Sequence, residues 1–250
     1  MGVLMPAKRH SAEGRARRIV MVVASFAICM STAHATEFCA TDPQIQAVDS
    51  SAPVTESFLD RMKAIGVNTI IRYYDHEDET LPGKTLRRAE RDAIVTSGLK
   101  VGVVFQHRNN KFSSFNALRG RQDAERSLIL ATENSQPKGS AIYFGVDGPW
   151  SRPDELANIM TYFREVNAAM AGSGYRVGVY GSGLVCNTLL ANGFAELCWL
   201  AAPTTWPDFS AWYQTKRWKL VQLPTTSCGG RSVDFNLTNG LEAEYGQFGG

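Results

Sequence analysis

Cysteine is scarce in this chain, with five residues in 250. No two stand as Cys-x-x-Cys, so the common zinc-ribbon and redox motifs are excluded. No Gly-x-Gly-x-x-Gly follows a strand-like run, which argues against a dinucleotide-binding half. No low-complexity linker divides residues 36–250, and no short repeat recurs. The main apolar run, residues 19–30, is too short to span a bilayer comfortably. No spacing of acids or histidines matches a known metal loop, so neither a metal nor a cofactor is expected.

What is present begins with a leader-like segment. Lys8, Arg9, Arg15, Arg17 and Arg18 precede the apolar run, and Ala33-His34-Ala35 follows it. Basic region, apolar region and small-x-small site are the order of a secretory signal peptide, expected over residues 1–35. Arg17-Arg18 is compatible with a twin-arginine route as well as the general one. The chain carries 26 basic and 24 acidic residues; taking away the five Lys/Arg and one Glu of residues 1–35 leaves 21 and 23. Nothing basic then remains to suggest nucleic acid as a partner. The expected location is secreted, periplasmic or at the cell envelope, without stable membrane insertion once the leader is removed.

Residues 36–250 are read as one domain of the α/β class. Apolar or β-branched runs at 45–49, 67–74, 99–105, 141–146, 175–180, 198–202, 219–222 and 233–235 predict eight strands. Helical periodicity is expected over 54–65, 85–96, 121–134, 153–171 and 184–191, with a turn near 208–213. The first five strands alternate with helices and read as buried on both faces, the mark of a parallel sheet under helices. Eight strands in this length predict a small (β/α) TIM-like barrel with an irregular second half. An open doubly wound sheet is the alternative.

In such a barrel the strand ends converge on one face. There the sequence places Asp49, Tyr73, Gln106, Asp147, Tyr180, Gln222, Asp234 and Asn236, with Trp150 just beyond strand four. Carboxylates suited to acid chemistry, amides that bind hydroxyls and aromatic faces that stack on sugar rings make a carbohydrate-type surface. Asp49, Asp147 and Asp234 are the candidate catalytic groups. Tyr73, Gln106, Trp150, Tyr180, Gln222 and Asn236 are the candidate substrate contacts. Asp75 reads as part of a solvated acidic loop, His107 as an exposed loop histidine and Trp199 as core.

The ordered segments Ala47-Val48-Asp49, Arg72-Tyr73-Tyr74, Thr85-Leu86-Arg87-Arg88-Ala89-Glu90, Ala141 through Asp147, Arg176 through Gly181 and Ser232 through Asn236 carry a resemblance. The chain resembles bacterial glycoside-hydrolase-like domains of unknown function related to family-25 lysozymes. The resemblance implies a TIM-like barrel with Asp49, Asp147 and Asp234 at a sugar-binding face. It also implies an Asp-x-Glu at the end of strand four, with the Glu as general acid. Here Asp147-Gly148-Pro149 stands in its place, and proline has no proton to donate. Glu155 is close in sequence but falls inside the next helix.

Two functions follow as expectations. One is an exported glycosidase acting on cell-wall or related amino-sugar polysaccharide, peptidoglycan included. The other is a catalytically inactive glycan-binding or envelope-interaction domain on the same barrel. Four cysteines remain after residue 35, allowing three pairings. A closed barrel brings Cys39, before strand one, beside Cys228, before strand eight, and leaves Cys186 with Cys198.

Overall fold

The computed structural model describes residues 39, 42–76, 81–240 and 244–249. The expected leader, residues 1–35, lies outside them. The described residues fall within one compact unit, Glu37–Gly250.

Seven parallel strands run in chain order around a barrel: β1 (Ile45–Asp49), β2 (Thr69–Tyr74), β3 (Lys100–Phe105), β4 (Ala141–Gly145), β5 (Arg176–Gly181), β6 (Leu197–Leu200) and β7 (Leu220–Gln222). Helices α1 (Glu56–Ala64), α2 (Arg88–Thr96), α3 (Ala117–Glu133), α4 (Pro153–Met170), α5 (Gly183–Ala191) and α6 (Phe209–Thr215) lie between them. Thr55, Asn116 and Ser182 cap α1, α3 and α5 by accepting backbone N–H bonds from Phe58, Arg119 and Val185.

The last strands depart from the repeat. β8 (Thr226–Cys228) and β9 (Arg231–Thr238) form a hairpin, and β9 closes the barrel antiparallel to both β7 and β1. The strand expected at 233–235 is therefore the middle of a longer strand running the opposite way. Residues 223–230, which join β7 to β9, are too few for a crossover helix, so β9 pairs antiparallel. Gly229 and Gly230 make the turn with φ of 62° and 72°, the two positive angles that a tight hairpin requires. β8 had no counterpart in the sequence reading.

Two apolar layers result from strand alternation. One face of the strands packs outward under the helices through residues such as Val48, Ile70, Val103, Phe144 and Val179. The other fills the barrel with Ala47, Ile71, Val104, Tyr143, Leu197, Trp199 and Leu220. Tyr245, from the C-terminal tail, joins this inner layer. Its hydroxyl lies 2.6 Å from Thr69 Oγ1, and its carbonyl accepts the Tyr143 hydroxyl at 2.8 Å. Gly178 is what lets Tyr143 fit, because a Cβ there would come within 2.5 Å of its ring.

Cys39 is bonded to Cys228, joining segments 189 residues apart across the barrel seam, and Cys186 to Cys198, joining α5 to β6. Among the described residues, no helix is long and apolar enough to cross a membrane.

Candidate active site at the barrel mouth

The inner layer and the polar site are consecutive steps of the same strands. Two residues beyond Ala47 is Asp49, beyond Ile71 is Tyr73, beyond Val104 is Gln106 and beyond Leu220 is Gln222. A period of two therefore aims each polar side chain into the barrel above an apolar one. On β9 the direction is reversed. Asp234 pairs with Asp49 and Asn236 with Gln222, which places Asp234 at the mouth from the first half of its strand.

Tyr73, Val104, Gln106, Asp147, Tyr180, Trp199, Gln222 and Asp234 line a cavity of about 250 Å3. Asp147 Oδ2 accepts from Gln106 Nε2 at 3.1 Å. Asp234 Oδ2 accepts from Gln222 Nε2 at 3.2 Å. The Tyr180 hydroxyl donates to Gln222 Oε1 at 2.7 Å, and its ring meets Trp199 edge-on at 4.9 Å. The cavity wall thus combines two carboxylates, two amides and three aromatic rings.

Asp49 is not part of that wall. It is 1% exposed and lies beneath it, accepting from the Tyr73 hydroxyl at 2.9 Å, Gln222 Nε2 at 3.1 Å and Asn236 Nδ2 at 2.8 Å. Asn236 is fully buried too, its Oδ1 accepting from Trp199 Nε1 at 2.7 Å. Neither residue lines the cavity; each hydrogen-bonds side chains that do. Asn236-Leu237-Thr238 matches a glycosylation sequon, but with Asn236 and Thr238 buried it offers no accessible amide. Trp150 also stands away from the cavity, packed against Phe112 at 5.6 Å and Phe115 at 6.2 Å. It folds back over Gly148, where a Cβ would approach its indole to 2.5 Å.

Burial dominates the electrostatics. It raises the Asp49 carboxyl to about 7, assisted by the nearby Asp234 charge and opposed by the Asn236, Gln222 and Tyr73 donors. Asp147 is raised by burial, against Gln106 and Lys84, and Asp234 by burial, against Thr225. The Tyr180 phenol is raised by burial and by all three carboxylates, Asp147 foremost, so it keeps its proton and acts as a donor.

The loops around the mouth are tied by Arg72, fully buried. Its Nε donates to Glu90 Oε1 at 2.7 Å, and its other nitrogens donate to the carbonyls of Gly83 and Ser50. Glu90 Oε1 also accepts from Val54 N at 2.8 Å. One ion pair thereby fixes the loops after β1 and β2. Glu155 has a similar local role, since its carboxylate accepts from the backbone of Ser151 and Arg152 at the start of α4.

Asp75 and His107 depart from the exposed loop positions expected of them. Asp75 is 3% exposed, not solvated, and its carboxylate meets His107 Nδ1 at 2.5 Å and Lys84 Nζ at 3.2 Å. His107 is half-buried against it. Burying an acid at a loop start is possible because its partners close over it, Lys84 from the far end of the same loop and His107 from the loop after β3, pairings that local sequence does not reveal. Lys84 was missed as a site residue. Trp199 is core, as expected, and its ring also borders the cavity, a position that the alternation Leu197, Trp199 inside β6 signalled.

Among the described residues, no three His, Cys, Asp or Glu side chains converge as metal ligands.

Residues 60–240 match the Rv2525c-like, glycoside hydrolase-like domain family. Among curated proteins, the chain is 26% identical over 204 residues to the uncharacterized protein FadG of Bacillus subtilis, covering 78% of this chain and 35% of that one. It is 27% identical over 169 residues to YbfG of the same organism, covering 64% and 23%. The chain thus spans about a third or less of the curated relatives it matches. Among solved structures, the Tat-secreted protein Rv2525c of Mycobacterium tuberculosis superposes with a TM-score of 0.65 at 22% identity, over 80% of this chain and 97% of that one. The modular autolysin LytC of Streptococcus pneumoniae superposes with 0.54 at 16%, over 76% and 46%. A closed eight-stranded barrel with an acid-lined mouth and a family match across most of its length make this chain a member of the Rv2525c-like glycoside hydrolase-like domain family.

Proposed function

We propose that this protein is an exported glycosidase acting on a cell-wall amino-sugar polysaccharide, with Asp147 as general acid and Asp234 as its partner carboxylate. The observation that carries this is the shared cavity: two acids face one space that is floored by aromatic rings and amides. Burial raises Asp147 from its ordinary value, as a proton donor near neutral pH requires. In the reaction Asp147 gives its proton to the glycosidic oxygen as the C1–O bond breaks. Water adds to C1 and yields its proton to Asp234. The Tyr180 hydroxyl and Gln222 amide position the sugar. Asp49 supports the Tyr73, Gln222 and Asn236 side chains from below.

The basic, apolar and small-x-small order of residues 1–35 supports export. So do two disulfides, which persist in oxidising compartments.

Pro149 at the position of the lysozyme glutamate supports a second reading, a barrel that binds glycan without cleaving it. Incubation of the purified protein with purified cell wall separates the two. New reducing ends in the supernatant are the expected result. Protein that pellets with the wall and releases none would establish the binding module instead.

A further inference from the structure

We infer that a second cavity beside Asp147 is a subsite for a carboxylate borne by the sugar next to the scissile bond; this rests on the glycan reading above. The cavity, about 310 Å3, shares Tyr73, Gln106 and Asp147 with the first and is completed by Lys84, Arg108, Asn109 and their neighbours. The charge inverts across the shared wall. Among the described residues, the first cavity is lined by acids and no cation, whereas the second adds two cations to Asp147.

The two cations are not equivalent. Lys84 Nζ is 3.2 Å from Asp75 Oδ2 and donates to the Gln106 carbonyl at 2.5 Å, so its charge is already matched. Arg108 is exposed at the rim, and its guanidinium has no hydrogen-bond or ion-pair partner among the described residues. Its backbone is held at a φ of 55°, uncommon for a residue with a side chain. Its carbonyl accepts from Lys111 N at 3.0 Å and Ser114 Oγ at 2.9 Å, which fixes the base of the side chain.

With Lys84 matched, Arg108 is the cation of this cavity left uncompensated among the described residues, and it carries the planar donor fork that fits a carboxylate. A monoanion suits this balance, whereas a phosphate dianion beside Asp147 would leave excess negative charge. A ring spanning the wall would present its glycosidic oxygen to Asp147 and its acidic substituent to Arg108. The substrate class is therefore a glycan with carboxylate-bearing residues, not a neutral one.

Calorimetric titration of the purified protein tests this with three probes. These are peptide-free peptidoglycan tetrasaccharide, the same sugar with its carboxylates methyl-esterified, and chitotetraose. The acid form should bind about fivefold tighter than the ester, the scale of one partly exposed ion pair. That preference should fall to about one in Arg108→Gln, be kept in part by Arg108→Lys, and persist in Arg164→Gln, which removes an exposed charge on α4. Equal binding of acid and ester, or a preference that survives in Arg108→Gln, overturns the subsite and leaves the glycan reading standing. Binding of none of the three sugars overturns both.

Discussion

Asp49 and Asp234 face each other across the antiparallel junction of β1 and β9, and one amide, Gln222 Nε2, donates to both, at 3.1 Å and 3.2 Å. The junction places two carboxylates side by side at the barrel seam, and the amide makes that arrangement tolerable. Gln222→Leu keeps the volume and removes the donor. At pH 8, where both acids tend toward charge, it should cost about 2–4 kcal/mol, because the buried Asp49 and the half-buried Asp234 each lose a donor. Urea unfolding at pH 8 and pH 5 checks this; a cost that is the same at both values would mean that charge is not what the amide relieves.

The Asp49 carboxyl, raised to about 7 in the folded state from 3.8, makes stability depend on pH. A raised folded value means that the native state holds the proton more tightly than the unfolded chain. The contribution is then complete below about pH 4 and is lost as the pH rises through 7. Thermal melts should show a decline in Tm between about pH 4 and 7. Asp49→Asn should flatten that decline, and an unchanged slope in the variant would assign the dependence elsewhere.

Arg72 and Glu90 join the loops after β1 and β2 beneath the mouth. Arg72→Met leaves Glu90 largely buried without its cation, which costs about 3–5 kcal/mol when one partner of such a pair is removed. Chemical denaturation measures the loss. A change below 1 kcal/mol would show that the loops are held by other contacts.

The Cys39–Cys228 bond closes a loop of 189 residues, so its main effect is on the unfolded chain. Replacing both cysteines by serine should lower stability by about 2–5 kcal/mol. Peptide mapping without reduction gives the pairing directly, and a Cys39–Cys186 peptide would contradict it.

The parallel part of the fold was legible because its strands are dense in β-branched and aromatic residues and its helices end at glycine. Residues 45–49 and 141–146 were read almost as they stand, with ends shifted by no more than one residue. The start of α3 was not, since Gly120 reads as a loop residue. It lies inside the helix because a Cβ there would fall 2.2 Å from the Tyr162 carbonyl on α4, a packing demand that local sequence does not express. The reversed closing strand was hidden in the same way, although Gly229-Gly230 announced a hairpin. Within the site, the C-terminal strand ends point to Tyr73, Gln106, Tyr180 and Gln222, whose side chains line the cavity. Position in the sequence could not separate a residue on the cavity wall from one below it. That distinction, which demotes Asp49 and Asn236 to support, depends on depth along the barrel axis.

In the proposed function Asp147 and Asp234 act together in one cavity to cleave a glycan. The decisive measurement is the rate at which new reducing ends appear from purified cell wall, for the parent protein beside Asp147→Asn and Asp234→Asn. Release by the parent is expected, with a fall of at least about a hundredfold in each variant, the scale of a lost acid or base, and melting temperatures that show both variants folded. Release by either folded variant at the parent's rate would contradict that function.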